Sequence, residues 1–210
     1  MSTVRRVLEG LDEITGWQEE LYVHLHANPE LSMQETETAA EVTKRLDELG
    51  YETQQIGGGV VGVLANGDGP TVLFRADMDA LPVKELTDLP YASTKTATDA
   101  DGNQVPVMHA CGHDMHVVAG LGAASLLAEQ RDAWSGTYVA LFQPGEETAA
   151  GARSMVDDGL TTKIPKPDVA LGQHVLTVPA AGEVGTTAGP ILSTGASVRV
   201  KVYGKGSHGS

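Results

Sequence analysis

A single cysteine, Cys111, is present among 210 residues. No intrachain disulfide framework is therefore available, and the thiol is free for other chemistry. Aromatic residues make up only 4% of the chain, too few for the stacking platforms that bind single-stranded nucleic acid. Positive charge is also scarce, with 14 Lys and Arg against 28 Asp and Glu and a net charge of -14. Such a balance offers no field to attract a phosphate backbone or an anionic membrane, so neither nucleic acid nor membrane is an expected partner. The longest nearly apolar run, Val117 to Ala128, falls short of the roughly 20 residues that cross a bilayer. The opening Met1-Ser2-Thr3-Val4-Arg5-Arg6 runs into acidic residues rather than an apolar signal core, which with the lone cysteine predicts a cytoplasmic protein. There is no Walker phosphate loop and no His-Glu-x-x-His helix. Gly57, Gly59 and Gly62 fit Gly-x-Gly-x-x-Gly, but they precede a strand instead of joining a strand to a helix, so they predict a turn.

What is present is a globular balance, 41% hydrophobic and 20% charged, with 25 glycines that imply many tight turns. Val7, Leu8, Leu11, Ile14, Trp17, Leu21 and Leu25 mark one helical face. Ser32-Met33-Gln34-Glu35 reads as a capping box opening a second helix through Leu49. Val60–Leu64 and Thr71–Phe74, separated by Asn66-Gly67-Asp68-Gly69, read as a strand pair. A polar stretch from about 84 to 105 lacks a period and is expected to be a long loop serving a site. Asp114 is expected to cap a helix, followed by strand Tyr138–Phe142, helix Ala150–Asp158 and strand Val169–Gln173. Alternation of strands and helices predicts an α/β three-layer sandwich with a mixed, partly parallel sheet. The texture changes after Pro179, and Val198, Val200 and Val202 alternate as a strand. A catalytic domain over 1–187 and the start of an α+β lid or dimerisation domain over 188–210 are therefore expected, and the sequence reads as cut short.

Met108-His109-Ala110-Cys111-Gly112-His113-Asp114-Met115-His116 gathers a thiol, three imidazoles and a carboxylate at a predicted helix start. A helix N-terminus lowers the pKa of a nearby thiol, and a thiolate is both nucleophile and metal ligand. Cysteine-nucleophile catalysis with a histidine partner is one reading, although residues two apart are poorly placed for it. Glu146-Glu147 follows the strand at its carboxyl end, where open α/β sheets collect ligands. In an extended segment these neighbours would face opposite sides, leaving one to coordinate a cation and the other to act as general base. His174 ends the next strand, and Asp77 and Asp79 leave the strand Thr71–Phe74. Their convergence suits zinc, manganese, cobalt or nickel, and more than four ligands suggests two ions.

Phe74-Arg75-Ala76-Asp77-Met78-Asp79-Ala80-Leu81-Pro82, His109-Ala110-Cys111-Gly112-His113-Asp114, Pro144-Gly145-Glu146-Glu147 and Gly172-Gln173-His174-Val175 occur in one order along the chain. In this the sequence resembles the metal-dependent amidohydrolases of the aminoacylase, hippurate hydrolase and auxin-conjugate hydrolase group, within the carboxypeptidase G-like peptidase family. His24-Leu25-His26-Ala27-Asn28-Pro29-Glu30-Leu31-Ser32 resembles the N-terminal signature of that family. The resemblance implies hydrolysis of the amide of an N-acyl amino acid, with Cys111, His113, Glu147 and His174 as ligands of two divalent metals. It further implies Glu146 as general acid/base, Asp79 as the supporting acid, His208 as a substrate contact from the lid, and a homodimer at full length. Other branches of the larger family place a His where Asp77 stands and ligate through the Asp matching Asp114, so the roles of these two residues stay open. His24 and His26 lie about 200° apart on a helix and are read as structural. An inactive metal-binding fragment is the alternative from a different class.

Overall fold

The computed structural model describes residues 2–178, 180–191, 195, 198 and 200–204. Helices α1 (Thr3–Val7) and α2 (Leu11–Ala27) follow one another through a 3-10 turn, and α3 (Thr36–Glu48) comes next. Strands β1 (Glu52–Ile56), β2 (Gly59–Asn66) and β3 (Thr71–Asp77) lead to a small antiparallel pair, β4 (Thr96–Thr98) and β5 (Gln104–Pro106). Then come α4 (His113–Glu129), β6 (Gly136–Gln143), α5 (Gly151–Asp157), α6 (Leu160–Lys163) and β7 (Val169–Gly172). The main sheet has the order β1-β2-β6-β3-β7. β3 runs parallel to both β6 and β7, and β2 is antiparallel to β1 and β6. The sheet is therefore mixed, as expected.

The strand pair expected of β2 and β3 does not form, because β6 lies between them. Physically, β6 carries the apolar run Tyr138-Val139-Ala140-Leu141-Phe142, all buried, and a strand buried on both faces takes the centre of a sheet. One face packs α2, α3 and α4 through Leu25, Val42, Leu46, Val117, Leu121 and Phe142. The other face packs Met155 of α5, with Leu160 and Ile164, against Ile56, Val61, Leu73, Val139 and Leu141. Helices on both faces make the three-layer α/β sandwich. Each such side chain contributes roughly 1.5–3 kcal/mol on burial. The glycine motif closes the β1–β2 hairpin, with Gly57 and Gly58 at φ 55° and 90°.

Three local expectations are corrected. The stretch around 84–105 is not wholly loop, since it holds β4 and enters β5. Gly112, at φ 81°, occupies the N-cap of α4, while Asp114 sits inside the first turn and accepts the Met115 N–H at 2.9 Å. Glu35 precedes α3 without a side-chain cap bond, because Ser32 and Glu35 are engaged elsewhere.

The chain divides into two compact units, 1–175 and 176–210. In the second unit no helix or strand occurs among the described residues. Of the strand expected around Val198–Val202, the described residues 198 and 200–202 are outside any strand, and the three valines are exposed. No helix among the described residues is long and apolar enough to cross a membrane.

Candidate metal centre

Because β3, β6 and β7 are parallel, their carboxyl ends share one edge of the sheet, the place where such sheets bind ligands. Asp77 and Asp79 leave β3 there, Glu146 and Glu147 follow β6, and His174 follows β7. The first turn of α4 brings His113 and Asp114 to the same edge, just after Cys111 and Gly112. A side chain on Gly112 would overlap Val175, so glycine permits both the left-handed turn and the approach of the segment carrying His174.

His113 is fully buried at the centre of the cluster. Its Nδ1 lies 2.9 Å from the Asp79 carbonyl oxygen, which only accepts, so Nδ1 carries the proton. The lone pair is therefore on Nε2, which is buried and has no hydrogen-bond partner among the described residues. Glu146 Oε2 and Glu147 Oε1 each lie 3.9 Å from it, and Glu147 Oε1 is likewise buried without a partner. His174 follows the same logic. Its Nδ1 donates to the Val175 carbonyl at 2.7 Å, which leaves the lone pair of Nε2 facing Cys111 Sγ at 3.5 Å. Cys111, His113 and His174 form one set of mutually close donor atoms, and His113, Glu146 and Glu147 form another.

A third set, Asp77, His113 and His116, has a different character. His116 Nδ1 lies 2.5 Å from Asp77 Oδ1, and its Nε2 accepts the Val175 N–H at 2.9 Å. Asp77 Oδ2 meanwhile receives Arg75 at 2.7 Å. Both ring nitrogens and both carboxylate oxygens are already engaged. Burial works to raise the Asp77 carboxyl, but the His116 hydrogen bond and the Arg75 charge outweigh it and hold its pKa low.

Asp79 is a support of the cluster. Its carboxylate receives Ser32 Oγ at 2.6 Å, the Glu147 N–H at 2.9 Å and His113 Nδ1 at 3.2 Å. Burial opposes ionisation, yet these bonds bring its pKa down to about 2. Glu35, buried, accepts the Gly145 N–H at 2.6 Å and steadies the loop before the glutamates. The residues read as a capping box thus clamp the site.

Two electrostatic expectations fail. Glu146 and Glu147 occupy a turn closed by the Ala149 N–H on the Glu146 carbonyl, so they converge on His113 rather than facing opposite sides. The Cys111 thiol is pushed up to about 11, first by burial and then by the negative charge of Glu147, Glu146 and Asp77. These effects outweigh the helix N-terminus in the metal-free chain, which weighs against a thiolate nucleophile there.

His116 was given no separate role from the sequence, although its position one helical turn after His113 is visible there, and the structure brings it into the cluster. His26, read as structural, bridges Asp114 at 2.7 Å and Glu85 at 3.0 Å. His208 lies outside the described residues.

The sequence model described as Peptidase family M20/M25/M40 matches residues 73–208. N-acetyl-L-cysteine deacetylase of Bacillus subtilis (strain 168) is 40% identical over 188 residues, 88% of this chain and 42% of that protein. Hippurate hydrolase of Campylobacter jejuni subsp. jejuni is 39% identical over 201 residues, 94% of this chain and 49% of that protein. Among solved structures, the Bacillus subtilis YXEP protein, described as a dinuclear metal binding peptidase from the M20 family, superposes with a TM-score of 0.67. That match has 35% identity and covers 78% of this chain and 43% of that one. The chain spans about half the length of the curated relatives it matches.

Proposed function

This chain belongs to Peptidase family M20/M25/M40, and from that membership we propose that it carries the metal-binding part of an amidohydrolase acting on N-acyl amino acids. The observation that carries the reading is the pair of buried, unpartnered atoms His113 Nε2 and Glu147 Oε1, 3.9 Å apart. Leaving a buried imidazole nitrogen and carboxylate oxygen unpaired is costly, and a divalent cation satisfies both. With Cys111 Sγ and His174 Nε2, the donor set of thiolate, imidazole and carboxylate fits zinc, manganese, cobalt or nickel. In this reading Cys111, His113, Glu147 and His174 hold two divalent ions. When bound, such ions supply Lewis acidity toward an amide carbonyl and a lowered pKa for water.

The remaining work falls to the side chains. Glu146, with its side chain 40% exposed against 20% for Glu147, is the one that substrate and water can reach. Its carboxylate takes the proton of the attacking water and passes it to the leaving amine nitrogen. Asp79 fixes the His113 tautomer through Nδ1 and holds the Glu147 backbone, so proton transfer and coordination stay on separate glutamates. A division into a catalytic domain over 1–187 and a lid beginning at 188, His208 as a substrate contact, a homodimer and cytoplasmic residence complete the proposal. The relatives named as a deacetylase and a hippurate hydrolase support the N-acyl amino acid class.

Metal content after dialysis tests it. Cys111→Ala, His113→Ala and Glu147→Gln should lose metal, while Glu146→Gln should keep it and lose roughly 100-fold or more in turnover of N-acyl amino acids. Equal retention of metal in all four variants would refute the ligand assignment. Metal uptake without any hydrolysis by the wild-type chain would favour the inactive metal-binding reading.

A further inference from the structure

The three histidines at the sheet edge are sorted by what holds their ring nitrogens. His113 and His174 each donate Nδ1–H to a backbone carbonyl and present a bare Nε2. His116 alone has a backbone N–H, that of Val175, pointing at Nε2. A nitrogen that accepts is unprotonated, so the proton of neutral His116 must sit on Nδ1, where Asp77 Oδ1 receives it at 2.5 Å. Asp77 is in turn pinned by Arg75, whose Nε donates to Gln143 Oε1 at 3.0 Å. A continuous chain of bonds thus runs from β6 and β3, through α4, to the residue after His174. The His116 ring also packs edge-on against that of His174, with centroids 4.6 Å apart.

Among the described residues, no strand-ladder hydrogen bond holds the His174 segment. β7 is an edge strand, exposed along its length, and among the described residues it pairs only with β3, through Val72–Arg75 and Val169–Gly172. Beyond Gly172 the ladder has ended, and the Val175 N–H is bonded to the His116 ring.

We propose that His116 is a positioning residue for His174: anchored to Asp77 through Nδ1 and to the Val175 N–H through Nε2, it holds His174 Nε2 opposite Cys111. This rests on the metal-centre reading above. It explains why Asp77 and His116, though close enough to His113 to make a donor set, are spent on orientation. It also places the dependence on one side of the centre, since His113 and Glu147 are held separately by Asp79.

The test is a Mn(II) titration of the metal-stripped chain, counting bound ions and following their spin coupling by EPR. Wild type should bind two coupled ions. His116→Leu should bind the second ion roughly 10–100-fold more weakly, the usual cost of losing a group that orients a ligand, while the first ion is held as before. His116→Gln carries both a donor and an acceptor amide atom and should recover the second ion. Equal affinity for both ions in His116→Leu, equal loss of both, or no recovery in His116→Gln would overturn the proposal. If wild type bound no Mn(II), the metal-centre reading itself would fail. Independently of any variant, long-range proton–nitrogen NMR of the metal-free wild type should show His116 protonated at Nδ1. A proton on Nε2 would overturn the tether even if His116→Leu does not fold.

Discussion

Asp79→Asn is the substitution whose cost can be worked from the structure. The Asp79 carboxylate is buried and receives three donors, Ser32 Oγ, the Glu147 N–H and His113 Nδ1. Its pKa is held at about 2 against an ordinary 3.8, which corresponds to roughly 2 kcal/mol in favour of the charged native form. An asparagine places an amide NH2 against the Glu147 N–H or against His113 Nδ1–H, so either rotamer sets donor against donor. Hydrogen bonds to a charged group contribute about 1.5–3 kcal/mol, so Asp79→Asn should lose roughly 2–4 kcal/mol at neutral pH. The folded pKa lies below the unfolded one, so this stabilisation is present above 3.8 and lost as pH falls through about 2. The stability gap between wild type and variant should therefore shrink by roughly 1 kcal/mol between about pH 6 and pH 3. Urea unfolding in the presence of a chelator, at a series of pH values, measures the gap free of metal linkage. A gap below about 0.5 kcal/mol, or one that stays constant over that range, would show that Asp79 is not held ionised by these donors.

The α/β sandwich was legible because the two N-terminal helices carry a one-sided apolar period, while β6 and α4 are apolar runs that only burial on both sides accommodates. Strand order was not, because the pairing of β2 with β3 or with β6 depends on which strand needs burial on both faces, a tertiary competition that turn residues do not report. The candidate donors were legible for a chemical reason. Cys111, His113, Glu147 and His174 stand at element ends, and parallel strands bring their carboxyl ends together whatever the details of packing. The supports beyond Asp79 were not legible. Ser32 and Glu35 have the same sequence pattern whether they cap a helix or reach Asp79 and Gly145, and only the fold brings those partners near. The same holds for the Cys111 thiol, where the helix N-terminus was visible in the sequence but the surrounding carboxylates were not.

Further outcomes follow from the same contacts. In the metal-free chain Cys111, with its thiol near 11, should alkylate more slowly at pH 8 than a free cysteine, and Co(II) should produce a thiolate-to-cobalt absorption band. Rapid alkylation without that band would contradict the burial argument. Gly151→Ala would drive its methyl group into the Pro144 carbonyl oxygen, so it should displace the loop carrying Glu146 and Glu147 and weaken metal uptake, read by equilibrium dialysis. Unchanged uptake would mean that the loop adjusts freely. For His26, burial acts to lower the pKa, but the hydrogen bonds of Glu85 and Asp114 outweigh it and leave the pKa raised. A raised folded pKa means that the imidazolium stabilises fully below about 6.5 and that this contribution fades as pH rises through the folded value. His26→Gln should therefore cost most in mildly acid solution and progressively less as pH rises. The carboxylates it bridges come from α4 and from the segment before β4, so the cost should appear as loss of proteolytic protection around Glu85 and Ser93. A cost that grows with pH would mean that His26 is neutral in the folded protein and that the two carboxylates are held by other groups.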